Sequence, residues 1–233
     1  MFFTNRLVNP ETTICRLPSI ILGCTSKNMH REVLKPDQIS MLPLLKLFKQ
    51  DFYLVGGTAL ALQIGHRYSL DFDLFTNANL RRKSIKILLE KYNYEIQDVL
   101  YEDSIQFHCI INGVKLSFYQ YPYQINPNVD FEGIINMPDI LTLAAMKAFA
   151  LGGRGKWKDY VDLYFVFKHH FSFEQACTQA NKIFNNAFND KLFRQQLSYF
   201  EDVDFTEEVE YTTDPISMEE VKSALTEISL ATF

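Results

Sequence analysis

Long apolar runs, paired cysteines and an excess of positive charge are all missing from this 233-residue chain. No stretch approaches the roughly 20 apolar residues that a membrane-crossing helix needs, so the chain reads as soluble, with no membrane partner. Only four cysteines occur (Cys15, Cys24, Cys109 and Cys177), and none sits in a CxxC or other close pair. That spacing supports neither a zinc site nor a disulfide framework, and it suits a reducing cytoplasm. Lys and Arg number 23 against 28 Asp and Glu, a formal net charge of -5, so the chain is not built to coat nucleic acid. Any RNA must be met by a local basic patch. Repeats and low-complexity segments are absent as well. What is present is 47% hydrophobic and 14% aromatic residues, enough for a substantial core, which excludes disorder as the default.

The N-terminus carries a decoy. "SIILGC", residues 19–24, looks like the end of a lipoprotein signal, but its apolar run is short and Pro18 interrupts its start. Residues 1–35 are expected to be an N-terminal extension, with Met29 a second plausible start, and no function is placed on residues 1–28. Periodic sequence begins near Pro36. "DQISMLPLLKLFKQ" patterns as a helix despite Pro43, "FYLV" as a short buried strand, and "GTALALQIG" as a helix bracketed by glycines. A strand at 70–75 and an amphipathic helix, "LRRKSIKILLEKYN", follow, with Ile85, Leu88 and Leu89 facing inward. "YEIQDVL", "SIQFHCII" and "VKLSFYQY" alternate and are rich in β formers, and Asn112-Gly113 is a strong two-residue hairpin signal. From Pro138, read as a first helical residue, the period turns helical and stays so to the C-terminus. The acidic stretch 201–210 reads as a solvated connector. The fold class is therefore α+β: a mixed sheet with flanking helices over 36–136, and a helical region over 137–233.

One segment carries chemistry. In "VGGTALALQIGHRYSLDFDLF", residues 55–75, a glycine pair enters a helix and two aspartates interrupt an apolar strand. Successive strand side chains point to opposite faces, so Leu70, Phe72 and Leu74 are expected on the buried face and Asp71 and Asp73 together on the other. Two carboxylates this close repel unless a cation sits between them, and an oxygen pair of this kind suits Mg or Mn. A Gly-Gly turn lets backbone N–H groups approach an anion, and a helix N-terminus adds its dipole, so Gly56, Gly57 and Thr58 are candidates for the phosphates of a nucleoside triphosphate (NTP). His66 and Arg67, just before the metal strand, are further phosphate candidates. No histidine has metal-ligand spacing.

Thirteen residues, 58–70, separate the glycines from Asp71, room for one helix and a return strand. This hG[GS]…DhD arrangement resembles the first motif of the nucleotidyltransferase superfamily that includes DNA polymerase β. A second stretch, "DILTLAAMKAFALGGRGKWKDYVDLYFV", residues 139–166, is similar to the helical signature of the AbiEii/AbiGii toxin family of nucleotidyltransferases: a lysine on one helix, an R-G, then K/R-D-x-x-D-L on the next. The matching residues are Lys147, Arg154, Gly155, Lys158, Asp159, Asp162 and Leu163. From periodicity alone, Lys147 either lies inward among small alanines to reach a phosphate or extends to solvent. If it is held for its charge, its removal should cost little stability. Arg154, Lys156 and Lys158, with Trp157 among them, form a basic and aromatic cluster fit for a triphosphate or an RNA end, or a plain exposed loop.

The resemblance implies a nucleotidyltransferase fold, an NTP substrate, a type IV toxin with a tRNA 3′ end as acceptor, and a separately encoded antitoxin. It makes Lys147 and Asp159 functional and Asp162 a structural partner. Many relatives place a third carboxylate on a later strand; here Ser117 stands there, sharing a face with Lys115 and Tyr119, and serine cannot act as a base. Either another group takes that role, Asp159 being the best placed by family analogy and Asp98 and Asp103 weaker substitutes, or the site is catalytically weak or dead. Two rivals stay open: a non-catalytic nucleotide-binding module, and a small-molecule nucleotidyltransferase of the antibiotic-modifying kind.

Overall fold

The computed structural model describes residues 29–153 and 155–231. Cys15, Cys24 and the lipoprotein-like stretch lie outside them, as does Arg154. After a 3-10 turn at Arg31–Val33 come two short helices, α1 (Pro36–Ser40) and α2 (Leu42–Leu47). A single helix was expected here, but Pro43 lacks an N–H and its ring crowds the preceding turn, so the helix stops and restarts with proline in its first turn. Strand β1 (Tyr53–Val55) then runs straight into α3 (Gly56–Ile64), and β2 (Phe72–Thr76) returns beside it. Leu70 is 53% exposed, contrary to expectation, because the strand begins only at Phe72.

Next come α4 (Arg82–Lys91), β3 (Asp98–Glu102), β4 (Gln106–Ile111) and β5 (Val114–Gln120). Asn112 and Gly113 take positive φ values of 50° and 75°, the backbone that a two-residue hairpin turn requires. The five strands order as β1-β2-β5-β4-β3, with β2 and β5 parallel and every other pair antiparallel. Phe72, Leu74, Phe107, Cys109, Leu116 and Phe118 fill one face, where Phe48 and Phe52 at the end of α2 meet the Phe118 ring edge-on. The opposite face carries Asp73, Phe75, Ser117, Tyr119 and His108.

A small hairpin, β6 (Val129–Phe131) and β7 (Ile135–Met137), was not foreseen; three-residue strands leave too short an alternation to read. Five helices follow: α5 (Ile140–Leu151), α6 (Trp157–His169), α7 (Phe173–Phe184), α8 (Asp190–Gln196) and α9 (Met218–Leu230). Pro138 is not the first helical residue of α5. Asp139 caps that helix by accepting the Thr142 N–H at 2.8 Å, and proline precedes it. Residues 201–210 are mostly exposed, as a solvated connector should be, but are also tied down as a strap: the Trp157 N–H donates to the Asp204 carbonyl, the Tyr68 N–H to the Glu210 carbonyl, and Lys35 binds the Glu210 carboxylate at 2.6 Å. Among the described residues no helix is long and apolar enough to cross a membrane.

Candidate active site

A cleft of about 370 Å³ opens between the free face of the sheet, α5 and the start of α6. Strand register builds its floor. Val55, Asp73, Ser117 and His108 pair in one row across β1, β2, β5 and β4. Ser117 therefore lies beside Asp73 on the parallel neighbouring strand, where the third carboxylate was sought. Asp98, on the exposed edge strand, and Asp103, held in its turn by the Ile105 and Gln106 N–H groups, do not line the cleft.

Gly56 makes the corner from β1 into α3 at φ +73°, and a Cβ there would collide with the Asp73 carboxylate. Glycine thus lets that carboxylate sit against the helix start. A Cβ on Gly57 would strike the Arg67 guanidinium in the same way. Thr58 is buried; its hydroxyl donates to the Asp71 carbonyl and accepts from the Ser69 hydroxyl, 2.9 Å away. It fixes the approach to β2 and does not line the cleft. Asp73 lines the cleft wall, whereas Asp71, its Oδ2 3.2 Å from Lys115 Nζ, is not among the lining residues. Because Lys115 and Ser117 alternate onto one face, both aspartates lie on the same side of the sheet.

Opposite them, α5 turns Lys147 inward rather than toward solvent. Its Nζ lies 2.7 Å from Asp159 Oδ1 and 2.6 Å from Asp162 Oδ2, both carboxylates coming from α6. Asp162 is fully buried and also accepts from Arg67 Nε at 2.7 Å, Arg67 Nη2 at 2.8 Å and His66 Nε2 at 2.6 Å. His66 and Arg67 were candidates for phosphate; they are instead buried on Asp162 and fix α6 against the loop after α3. Burial alone would raise the Asp162 pKa, but the Arg67 and Lys147 charges and the His66 bond hold it well below the carboxylate range. Burial likewise opposes the Lys147 charge, yet Asp159 and Asp162 outweigh it and leave the ammonium above its ordinary value. His66 goes the other way: burial dominates, so its pKa falls and the ring is neutral at pH 7.

Lys158 does not reach the cleft. Its Nζ lies 3.2 Å from Glu207 of the strap, beside Lys156 at 2.6 Å, and the Lys156 hydrogen bond, with Lys158's help, draws the Glu207 carboxyl down to about 2 against the burial that would raise it. Trp157 is buried too, stacked on Tyr160 with ring centres 6.1 Å apart, and so is no platform for RNA. Among the described residues no three His, Cys, Asp or Glu side chains converge as a metal cage. The Asp71–Asp73 pair still has the donor chemistry for a divalent ion, hard carboxylate oxygens just before and within β2, although the Lys115 ammonium on Asp71 Oδ2 would have to give way to it. The cleft also gathers Gln106, His108, Phe75, Tyr119 and Tyr121, which were not foreseen as site residues. Alternation along each strand gave their facing, but only strand pairing puts them beside Asp73. Burial and the Lys115 charge lower the His108 pKa, against the pull of Asp73 and Asp103.

This architecture is that of a nucleotidyltransferase. The fold is similar to that of MenT4, a nucleotidyltransferase toxin of Mycobacterium tuberculosis, with a TM-score of 0.56 at 14% identity over 83% of this chain and 82% of that one. JHP933 of Helicobacter pylori is a looser likeness, with a TM-score of 0.48 at 16% identity over 83% and 88%. A curated relative, the uncharacterized protein aq_aa25 of Aquifex aeolicus (strain VF5), is 33% identical over 162 residues, 65% of this chain and 75% of its own. A sequence model described as "Nucleotidyl transferase AbiEii toxin, Type IV TA system" matches residues 44–224, and the chain belongs to that family.

Proposed function

We propose that the protein transfers a nucleotide from an NTP to a hydroxyl, releasing pyrophosphate, with a tRNA 3′ end as acceptor and a separately encoded antitoxin as its partner in the cell. The observation that carries this reading is a single cleft lined by Gly56 and Asp73 from the glycine-turn half and by Lys147 and Asp159 from the helical half. Asp71 and Asp73 would hold Mg or Mn, which when bound neutralises phosphate charge and favours pyrophosphate as a leaving group. Gly56 brings the start of α3, the positive end of its dipole, to the cleft, with Gly57 and Thr58 next in its first turn. Lys147, aimed by Asp159 and Asp162, presents its ammonium to the triphosphate.

In the transfer, the acceptor oxygen bonds to the α-phosphorus as the bond to the bridging oxygen breaks. Asp159 takes the acceptor proton, since Ser117 cannot. Lys158, in the first turn of α6, would meet the nucleotide only by leaving Glu207. A second reading, binding without turnover, is favoured by the serine beside Asp73. Incubation with each labelled NTP, Mg or Mn and total tRNA separates the two. Label moving into RNA supports transfer; NTP retained on the protein with no labelled RNA supports the binding module; neither outcome sinks both.

A further inference from the structure

The cleft has two chemically different halves. The row Asp73–Ser117–His108, with Lys147 and Asp159 opposite, is polar and charged. The next row on the same face, two residues further along each strand, is Phe75–Tyr119–Gln106, and it is followed by Tyr121. Two strand residues are about 7 Å, the span of one ribose. Across from these rings α5 presents Met146, Phe149 and Ala150, and among the described residues no charged side chain lines this half.

The rings are braced rather than loose. Phe75 lies 5.1 Å from Tyr119 and 5.0 Å from Tyr121, centre to centre. Tyr121 meets Tyr123 at 5.5 Å, Tyr123 meets Phe149 at 5.4 Å, and Phe149 stacks on Phe184 at 4.1 Å. Yet Phe75, Tyr119 and Phe149 are each only half-buried, although the core is rich in fully buried phenylalanine. Aromatic faces left open on two facing walls are a platform for another flat ring. The volume, near the lower end of the roughly 300–1,000 Å³ of small-molecule sites, suits one nucleotide and not a helix or folded domain.

We propose that this aromatic half is the subsite for the base of the incoming NTP, held between the sheet rings Phe75 and Tyr119 and Phe149 of α5, an assignment that rests on the nucleotidyl-transfer reading. The base lies there because its triphosphate is held at the adjoining charged row. Recognition is mainly by stacking, which any base can supply, so the four NTPs bind with similar affinity; Gln106 is the only amide on that row.

The test compares equilibrium binding of an NTP and of inorganic tripolyphosphate, each with magnesium, to wild type and to Tyr119→Ser, Phe149→Leu and Tyr119→Phe, with folding followed by thermal melting. The proposal expects NTP affinity to fall about 10-fold or more in Tyr119→Ser and Phe149→Leu, in line with loss of one stacking partner. Tripolyphosphate binding stays at the wild-type level in both, and Tyr119→Phe, which keeps the ring, restores NTP affinity. Unchanged NTP affinity in the ring-removing variants overturns the base subsite while leaving the nucleotide reading intact. Equal losses for NTP and tripolyphosphate overturn it too, by showing the rings to be only scaffold. Wild type that binds neither probe fails the underlying nucleotide reading and the subsite with it.

Discussion

At the scale of single residues, Asp73 and Lys147 face each other across the cleft, and each supports a distinct expectation. Asp73→Asn keeps the size and removes the charge, so transfer should fall at least about 100-fold while the melting temperature holds; Asp71→Asn should do likewise, as expected when a dominant electrostatic contribution is removed. Steady-state rates with Mg or Mn check this, and wild-type rates in both variants would end the metal assignment. Lys147 is different from what its sequence context promised. Its Nζ lies between Asp159 and Asp162, so Lys147→Ala leaves buried carboxylates short of a cation and should cost about 3 kcal/mol of stability as well as NTP affinity. Denaturant melts alongside NTP titrations measure both, and unchanged stability would contradict the buried pairing. Gly56→Ala forces both a left-handed backbone and a collision with Asp73, so it should lose activity well beyond the stability change of about 1–2 kcal/mol.

At the scale of elements, the strap 201–210 holds Lys156 and Lys158 on Glu207, away from the cleft. If Lys158 serves the nucleotide, Glu207→Gln should free it and tighten tRNA or NTP binding, more so at low salt. Unchanged affinity across salt would leave Lys158 a structural residue. The same strap shows where sequence reading stops. The α+β order, the Asn112-Gly113 hairpin and the strand-to-helix corner at Gly56 were legible because each depends on local backbone preference or on neighbours within a turn. What was not legible depends on pairing between distant segments: Arg67 and His66 look like phosphate ligands until Asp162, some 95 residues on, is seen to hold them. Trp157 reads as an exposed stacking residue until Tyr160 and Phe205 cover it. Gln106, His108 and Tyr119 join the site only through the register of β4 on β5 and β5 on β2.

At the scale of the whole molecule, the two halves of the chain are joined by the buried cluster on Asp162, and that cluster makes stability depend on pH. Neutral His66 has a folded pKa below its unfolded value of about 6.5, so the unfolded chain takes up the proton and stability falls as pH drops below that point. The depressed Asp162 adds stability that is complete above about 3.9 and is lost as pH falls through its folded value. Lys147, raised, contributes fully below about 10.4 and loses its share as pH rises through its folded value. Melting temperature should therefore be highest between these limits, and His66→Gln should remove the loss that sets in as pH falls below about 6.5; a loss that persists in that variant would place its origin elsewhere. The central claim is that this cleft, shared between sheet and helices, is where the nucleotide binds. A crystal structure of the protein with magnesium and a non-hydrolysable NTP analogue tests it most directly. The triphosphate should lie between Asp73 and Lys147, with the base against Tyr119 and Phe149. A nucleotide bound elsewhere, for instance on the basic start of α4 at Arg81 and Arg82, with the cleft empty, would contradict it.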